Sequence, residues 1–243
     1  MAPSARADLK VLAFDVFGTV VDWRGGVAAE MAALAQERRL SVDAGAFADA
    51  WRSKYLPYLN RIRSGEMPWQ VLDGVHRASL HEVASELSLQ SLTEADLDRL
   101  VYAWHHLPAW PDSAEGMSRL RSHYVLSTLS NGGMAHLVDL NRAAFLPFDC
   151  VLSTELVRSY KPDPRVYRLV PDLLAVRPEQ SMMVASHIYD LAAAAGQGMR
   201  TAFVRRPQEW GTGKAETLDI SVDIVAEDFL DLASQLGASG VPC

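Results

Sequence analysis

The sequence predicts an α/β fold in which a helical insertion separates the first strand of a parallel sheet from the remaining strands. The apolar run 11–14, followed by a turn-forming Gly18, is typical of a buried strand inside a parallel sheet. From Asp112 onward, short apolar runs alternate with helical patterns of about 10–15 residues, as in repeated strand–helix–strand units. From residue 23 to residue 106, apolar residues recur at helical spacing and no strand pattern is present.

These patterns divide the chain into two domains. Residues 1–20 and 108–243 are expected to form the sheet domain, and residues 21–107 the helical domain, with the proline-containing stretch 107–111 leading back to the sheet. The helices expected in the helical domain cover residues 27–35, 47–62, 69–87 and 94–104, the last behind a Thr93 N-cap. In the sheet domain we expect further strands at 124–129, 148–152, 182–185, 201–204 and 222–225, and helices at 133–145, 164–176, 190–198 and 229–236.

The composition of the 243-residue chain excludes several classes of protein. Hydrophobic residues make up 49% and charged residues 22%, which is ordinary globular usage, and the net charge of −7 gives no basic footprint for nucleic acid. No stretch approaches the roughly 18 apolar residues that span a membrane, and residues 1–8 lack the apolar core of a signal peptide. Cys150 and Cys243 are far apart, so neither a disulfide framework nor a zinc site is expected. We therefore expect a cytoplasmic protein.

Polar residues that could take part in catalysis or binding follow the ends of the predicted strands. Asp15 ends the first strand, and Gly18 and the Thr19 hydroxyl stand in the turn beyond it. Ligands bind outside the carboxyl ends of parallel strands, so one crevice is expected to collect these groups. The four stretches concerned are 15–19, 127–133, 160–167 and 184–190.

Each stretch taken alone also has an ordinary structural explanation. Asp15 could cap its own loop, Lys161 could be a solvated charge, and Asp190 could be a first-turn helix charge. Ser130-Asn131 could be an ordinary turn, whereas a functional role would use the double-glycine turn after it to expose backbone N–H groups to an anion. Pro162 disfavours helix at Lys161, so the ammonium group is expected on a loop just before a helix. The occurrence of all four stretches at strand ends favours one shared site.

Four sequence features resemble the motifs of the haloacid dehalogenase superfamily. They are Asp-x-Phe-Gly-Thr, Ser-Asn-Gly, Lys-Pro-Asp-x-x-x-Tyr and, after a further predicted strand, Asp190. More narrowly, the chain resembles the type II 2-haloacid dehalogenases over nearly its whole length, and Trp51-Arg52-x-Lys54-x-Leu56-x-Tyr58 resembles a segment of their cap domain. The resemblance implies a Rossmann-like parallel-sheet core with an inserted helical cap domain. It also implies hydrolysis of short 2-haloalkanoic acids through an aspartyl ester, in a protein that forms a homodimer and needs no cofactor.

The same resemblance assigns roles to individual residues. It makes Asp15 the nucleophile that Lys161 keeps ionised, and Asp190 the residue that serves the hydrolytic water. Arg52 and Asn131 would receive the halide, Ser130 would bind the substrate carboxylate, and Thr19 and Tyr167 would support the active site. Phe17, Leu56, His187 and Tyr189 complete the expected substrate-binding residues.

Two other functions remain open at this level. A magnesium-dependent phosphatase of the superfamily needs an acidic residue where this chain has Phe17, and commonly a further Asp where it has Ser186. Asp15 and Asp190 are therefore expected to lack a third nearby carboxylate for a metal ion. A non-catalytic binding protein would be favoured if Asp15 were buried and capped by its own loop.

His187 departs from the dehalogenase pattern, which has Asn at this position. The imidazole could add a hydrogen-bond donor or re-aim Lys161, so we expect slow fluoride release from fluoroacetate and faster chloride release from chloroacetate. Two other conspicuous stretches are expected to be structural. His105 and His106 should serve a hinge or packing, and Arg205-Arg206-Pro207 should be surface charge.

Overall fold

The computed structural model describes residues 8–211 and 216–238 and has the predicted α/β architecture. Five parallel strands lie in the order β2-β1-β3-β4-β5. They are β1 (Val11–Phe14), β2 (Val125–Thr128), β3 (Ser181–Ala185), β4 (Arg200–Val204) and β5 (Ile224–Ala226). The chain leaves β1 for β2 on one side and later returns to β3 on the other, so the carboxyl ends of β1 and β3 flank the switch point where open α/β sheets bind ligands.

Strand β1 is buried on both faces, as its continuous apolar sequence predicts. Leu12 and Phe14 pack in one apolar cluster and Val11 and Ala13 in the other, one on each side of the sheet. The last residue of β1, Phe14, pairs with Thr128 of β2 and with Val184 of β3. The residues that follow these strands therefore emerge at the same edge of the sheet.

The predicted helical insertion is present between β1 and β2. It contains α1 (Trp23–Arg38), α2 (Ala44–Arg63), α3 (Leu72–Glu86) and α4 (Glu94–Ala103), followed by a 3₁₀ turn at Trp104–His106. Helix α3 begins three residues later than predicted, because Val71 is still extended. Thr93 caps α4 in a capping box with Asp96, as expected from the sequence.

The two connections between the insertion and the sheet run side by side. The backbone N–H of Asp22 donates to the carbonyl oxygen of Pro108 at 2.9 Å, and that of Trp110 donates to Val20 at 3.0 Å. Val21 and Ala109 form an antiparallel bridge between the two connections. The insertion thus leaves and rejoins the sheet at one place.

The remaining helices flank the sheet: α5 (Ser113–Arg121), α6 (Met134–Ala143), α7 (Pro164–Leu174), α8 (Ile188–Ala195) and α9 (Phe229–Gln235). The strand predicted at 148–152 is wrong, since only isolated bridges occur there. The segment keeps backbone hydrogen bonds to β2, such as the N–H of Asp149 donating to the carbonyl oxygen of Leu126 at 2.8 Å. Side chains add to them, because the Asp149 carboxylate accepts from the N–H of Leu126 and the Thr128 hydroxyl pairs with both backbone groups of Leu152. Within the described part of the chain, no helix is both long and apolar enough to cross a membrane. Cys150 is a free thiol, and Cys243 lies outside the described residues.

Candidate active site

The polar strand ends meet at the switch point between β1 and β3. Asp15 follows β1 directly, and Ser186 and His187 follow β3. Gly18 has a φ of +89°, which lets the loop after Asp15 turn back sharply. The turn brings the Thr19 hydroxyl within 2.9 Å of Asp15 Oδ2, where it donates, while Thr19 Oγ1 accepts from the N–H of Ser186.

The carboxylate of Asp15 is buried and accepts hydrogen bonds from three side chains. Lys161 Nζ lies 3.2 Å from Oδ1, and Thr19 Oγ1 and His187 Nδ1 each lie 2.9 Å from Oδ2. Burial alone would raise the pKa of Asp15, but the charges of Lys161 and His187 and these hydrogen bonds outweigh it and hold the pKa below its usual range. Only one of the donors belongs to the loop of Asp15 itself, so this is not a loop-capped aspartate.

Lys161 lies between two carboxylates. Its Nζ is 2.5 Å from Asp190 Oδ2 as well as 3.2 Å from Asp15, and the Tyr167 hydroxyl donates to Asp190 Oδ1 at 2.7 Å. Burial lowers the pKa of Lys161, yet the two carboxylates outweigh burial and raise it above its ordinary value. The pKa of Asp190 is raised, first by burial and then by the charge of Asp15, against the opposing charge of Lys161. The site therefore holds an ionised Asp15, a charged lysine and a more basic Asp190.

His187 joins Asp15 to Glu209, a residue that the sequence analysis missed. His187 Nε2 lies 2.8 Å from Glu209 Oε1, and the Trp23 indole N–H donates to the same oxygen at 3.2 Å. Burial lowers the pKa of His187, but Glu209 and Asp15 outweigh it and raise the pKa well above its ordinary value. Both ring nitrogens of His187 face carboxylates, which favours the alternative of an added hydrogen-bond donor over a direct contact with Lys161. Glu209 follows β4, so the strand-end rule that identified Asp15 could also have identified it.

A cavity of about 300 Å³ lies between α2 and the loops that follow β3 and β4. Arg52 of α2 is buried in its wall, and its Nη1 has no hydrogen-bond partner among the described residues. The Arg52 guanidinium carbon lies 4.0 Å from the centroid of the Tyr55 ring. A buried cation with an unused N–H group is suited to an anion. The cavity is lined by Asp49, Arg52, Ser53, Tyr55, Leu56, His187, Tyr189 and Trp210.

Three of the predicted substrate contacts are buried and do not belong to the lining of this cavity. Asn131 donates from Nδ2 to the Tyr55 hydroxyl at 2.7 Å and accepts the backbone N–H of Lys161 at 3.0 Å. The Ser130 hydroxyl accepts a hydrogen bond from the N–H of Gly132 at 3.2 Å, so this N–H group is already used within the turn. Phe17 packs against Trp104 and His136. The roles of these three residues stay predictions.

The other predicted residues are brought together. Thr19, Lys161, Tyr167, His187 and Asp190 belong to one hydrogen-bonded network around Asp15. Arg52, Leu56 and Tyr189 line the cavity next to that network.

Arg206 corrects one prediction, because it is not a surface charge. Its side chain is 6% exposed, and both terminal nitrogens bind the Asp112 carboxylate, at 2.7 and 2.9 Å. Its Nε donates to the carbonyl oxygen of Thr19 at 2.8 Å, and Phe229 and Trp110 pack against the guanidinium group. Arg206 therefore fixes the loop that contains Thr19. The local pattern Arg-Arg-Pro does not indicate this role, because the contacting residues come from distant parts of the chain.

The expectation that Asp15 and Asp190 lack a third nearby carboxylate for a metal ion stays a prediction. Glu209 lies close by, with the His187 ring between its carboxylate and that of Asp15. The ammonium group of Lys161, however, already stands between Asp15 and Asp190, in the space a divalent cation would share with them.

A second set of metal-type side chains, Asp73, His105 and His136, lies at the contact between α3 and α6, with ligand atoms within 4.8 Å of one another. The two imidazole rings stack with centroids 4.3 Å apart and planes 4° from parallel. A ring nitrogen binds a metal in the plane of its ring, so two stacked parallel rings direct their lone pairs at different points. The set is therefore a cluster of ion pairs and hydrogen bonds, and His105 has the packing role expected of it.

Comparison with known proteins agrees with this geometry. A family model described as haloacid dehalogenase-like hydrolase matches residues 9–198. The (S)-2-haloacid dehalogenase 4A of Burkholderia cepacia is 30% identical over 204 residues, which cover 82% of this chain and 84% of that protein.

Solved structures are similar over almost the full length. The crystal structure of one L-2-haloacid dehalogenase has 42% sequence identity and a TM-score of 0.91, covering 95% of this chain and 100% of that one. A defluorinating L-2-haloacid dehalogenase has 39% identity and a TM-score of 0.91, covering 94% and 95%. The parallel sheet in the order 2-1-3-4-5 and the aspartate after its first strand are consistent with these similarities. The chain belongs to the haloacid dehalogenase-like hydrolases.

Proposed function

We propose that the protein hydrolyses short 2-haloalkanoic acids, such as haloacetates and L-2-halopropionates, to 2-hydroxy acids through an ester on Asp15. The observation that carries this proposal is a buried Asp15, paired with Lys161, next to a cavity lined by Arg52, whose buried Nη1 has no hydrogen-bond partner among the described residues. The relatives support the same substrate class, because they include (S)-2-haloacid dehalogenases and a haloacetate dehalogenase.

In the first step a carboxylate oxygen of Asp15 attacks C2 of the substrate, the C2–halogen bond breaks and the halide leaves with the bonding electrons. Arg52 stabilises the departing halide, because its cation is buried and its Nη1 has no hydrogen-bond partner among the described residues. Asn131, which bonds the Tyr55 hydroxyl, is the second halide contact, and Ser130 binds the substrate carboxylate. Phe17, Leu56 and Tyr189 contact the apolar part of the substrate.

In the second step water attacks the ester carbonyl carbon of Asp15. Asp190 accepts the proton of that water, for which its raised pKa suits it, and Tyr167 and Lys161 hold it in place. The 2-hydroxy acid leaves, Asp15 returns as a carboxylate that contains the oxygen of water, and one proton passes to solvent.

Residues 21–107 act as a cap on a core formed by residues 1–20 and 108–243. Five of the residues that line the cavity belong to α2, and the others follow β3 and β4. The paired connections at Asp22–Pro108 and Val20–Trp110 support these two boundaries. Movement of the cap over the site would exclude bulk water and orient C2 for attack.

A magnesium-dependent phosphatase is not favoured. The position that would need a general acid is Phe17, which is 3% exposed and has no proton to give. Lys161 supplies the positive charge between Asp15 and Asp190 without a metal ion.

Ion release from a substrate panel tests the proposal. Chloroacetate and L-2-chloropropionate should release chloride in the presence of EDTA, and the latter should yield D-lactate because attack inverts C2 once. Fluoroacetate should release fluoride more slowly, and the similarity to a defluorinating L-2-haloacid dehalogenase supports this expectation. Phosphate release from a generic phosphate ester that exceeds halide release, or a magnesium requirement, would contradict the proposal.

The resemblance to dehalogenases also supports a cytoplasmic homodimer. Light scattering on the eluting peak of a size-exclusion column should give twice the chain mass of 26.7 kDa. A peak at the monomer mass would remove the dimer from the account.

A further inference from the structure

The two oxygens of the Asp15 carboxylate lie in unequal surroundings. Oδ1 faces one donor, Lys161 Nζ at 3.2 Å, whereas Oδ2 accepts from both Thr19 and His187 at 2.9 Å. An oxygen with fewer and longer hydrogen bonds keeps more of its lone-pair density for attack. Oδ1 is therefore the oxygen that becomes the ester oxygen, and Oδ2 becomes the carbonyl oxygen of the ester.

The ring of His187 must carry a hydrogen on both nitrogens. Nδ1 faces Asp15 Oδ2 at 2.9 Å and Nε2 faces Glu209 Oε1 at 2.8 Å, and ionised carboxylate oxygens only accept hydrogen bonds. Glu209 is 2% exposed, and Trp23 Nε1 and the Ser186 hydroxyl hold its two oxygens at 3.2 and 3.3 Å. The ring is thus an imidazolium whose position is fixed from the side away from Asp15.

Other ionisable groups lie around this pair. Glu216 accepts the N–H of Ile188, next to His187, and the Tyr189 ring lies 5.9 Å from the His187 ring. The charged side chains that act on Asp15 or Glu209 from further elements are Arg52, Lys161 and Asp190. Among the described residues, Glu209 and Asp15 are the carboxylates that bond the imidazole directly.

We propose that Glu209 keeps His187 doubly protonated, so that Nδ1–H and the Thr19 hydroxyl form an oxyanion hole on Asp15 Oδ2 during hydrolysis of the ester. This inference rests on the proposed function. His187 touches the reacting carboxyl group, whereas Glu209 is a positioning residue that acts through the imidazole.

The bonding changes follow from this placement. The water oxygen forms a bond to Cγ of Asp15, its proton passes to Asp190, and the electron pair of the C=O double bond moves onto Oδ2. The two donors stabilise that negative charge. The pair then re-forms the double bond as the Cγ–Oδ1 bond breaks, and the leaving alkoxide takes the proton held by Asp190 to become the 2-hydroxy acid. The second proton of the water is lost to solvent as Asp15 returns to a carboxylate. No oxidant or further reactant is needed.

The oxyanion hole affects the two chemical steps unequally. In the first step, donors on Oδ2 withdraw charge from the carboxylate while it acts as the nucleophile. In the second step the charge on Oδ2 grows, and the same donors strengthen their hold. Weakening the imidazolium should therefore slow ester hydrolysis much more than halide release.

The substitution Glu209→Gln tests this prediction while preserving the shape of the buried side chain. With chloroacetate in rapid-quench experiments, the chloride burst should stay within about threefold of wild type, and ester hydrolysis should slow by at least about tenfold, less than the roughly 10²–10³-fold cost of deleting an oxyanion donor. Intact-protein mass should then show the Asp15 adduct accumulating. Glu216→Gln, a neighbouring carboxylate off the ring, is the matched control and should leave both steps unchanged.

Two further readouts separate this role from a loss of structure. In Glu209→Gln, ester hydrolysis should decline as pH rises through the ordinary histidine pKa of about 6.5, while the wild type shows no such decline there. Nitrogen NMR of the resting wild type at about pH 8 should show an imidazolium at His187, and the variant a neutral ring.

A neutral His187 in the wild type, or equal slowing of both steps in Glu209→Gln without a new pH dependence, would overturn the inference. Absence of halide release by the wild type would instead contradict the proposed function, and the NMR experiment would still decide the protonation of His187.

Discussion

Two buried histidines in this molecule have the same local geometry and different surroundings. His187 lies between Asp15 and Glu209, with ring nitrogens 2.9 and 2.8 Å from carboxylate oxygens. His105 lies between Asp139 and Asp73 in the same way, at 2.9 and 3.2 Å. In both cases burial lowers the histidine pKa, and the two carboxylates outweigh it and raise the pKa above its ordinary value.

The surroundings separate a catalytic from a structural use of this arrangement. The carboxylates beside His187 are 9% and 2% exposed, and the ring borders the cavity. Those beside His105 are 37% and 42% exposed, and they tie α3 to α6 through the 3₁₀ turn. Ion pairs open to water contribute little energy, whereas charges closed off from water control one another's ionisation. The burial of the carboxylates and the neighbouring cavity, rather than the contact of a histidine with two carboxylates, distinguish the active site.

The cluster of Asp73, His105 and His136, here called the His105 cluster, and the neighbouring His76 contain buried polar atoms without a hydrogen-bond partner among the described residues. His136 Nδ1 lies 3.3 Å from Asp73 Oδ1 without the geometry of a hydrogen bond. His76 stacks on Trp104 at 4.1 Å, and neither of its ring nitrogens has a partner among the described residues. Burial therefore lowers the pKa of His76 well below its ordinary value and keeps the ring neutral. Such groups favour a packing role for this contact over a chemical one.

The largest expected difference is in activity, between a variant that lacks a carboxylate bonded to His187 and a variant that lacks a carboxylate bonded to His105. Asp15→Asn should lower kcat by about 10⁴-fold or more, because it removes the nucleophile. Asp73→Asn should leave kcat within about threefold of wild type, because exposed ion pairs are worth little. Steady-state chloride release from chloroacetate measures both. Comparable loss in the two variants would break the distinction between the two clusters.

Within the active site, Arg52 and Asp190 should act on different steps. Arg52→Ala should suppress the first-turnover halide burst by about 10²–10³-fold, because the departing halide loses its buried donor. Asp190→Asn should retain most of the burst and slow ester hydrolysis by about 10²-fold or more, because the general base is lost. Rapid-quench halide measurement and adduct mass separate these steps. Equal loss of both steps in both variants would show that the two roles are not separate.

The His105 cluster should respond in stability rather than in rate. Asp73→Asn removes the charge shared by His105 and His136 and should cost about 1 kcal/mol, or about 2–4 °C in Tm. Calorimetry or thermal circular dichroism measures the change. The exposed Asp98→Asn on α4 is a control for the loss of one surface charge. An unchanged Tm in Asp73→Asn would remove the stabilising role.

The smallest expected effect is a pH dependence of that stability. The folded pKa of His105 is raised, so its pairing stabilises the protein below the unfolded value of about 6.5 and loses this contribution as pH rises through the folded pKa. The Tm difference between wild type and Asp139→Asn should therefore be greater at about pH 6 than at about pH 9. A greater difference at the alkaline pH would contradict the assignment.

The sequence was informative where function depends on position at a strand end. Asp15, Lys161 and Asp190 were predicted to share one crevice, and the structure places them within hydrogen-bond distance through Lys161. The helical insertion was predicted because a period of three to four residues is a local property of the chain.

What the sequence analysis missed depends on contacts between distant segments. Glu209 reaches His187 across 22 positions, and Arg206 reaches Asp112 across 94. The cluster of Asp73, His105 and His136 exists only because α3, the 3₁₀ turn and α6 meet. Apart from the position of Glu209 after the end of β4, no local pattern distinguishes these residues from ordinary surface charges.

The central claim is that Asp15 is the nucleophile and is itself the site of water attack. A single turnover in heavy-oxygen water, with enzyme in excess over chloroacetate, tests it directly. If the ester is opened at the Asp15 carbonyl, the solvent oxygen should appear in the peptide containing Asp15, and the glycolate from that turnover should be unlabelled. Label found in the glycolate, with none in that peptide, would mean that water attacks C2 and would contradict the account.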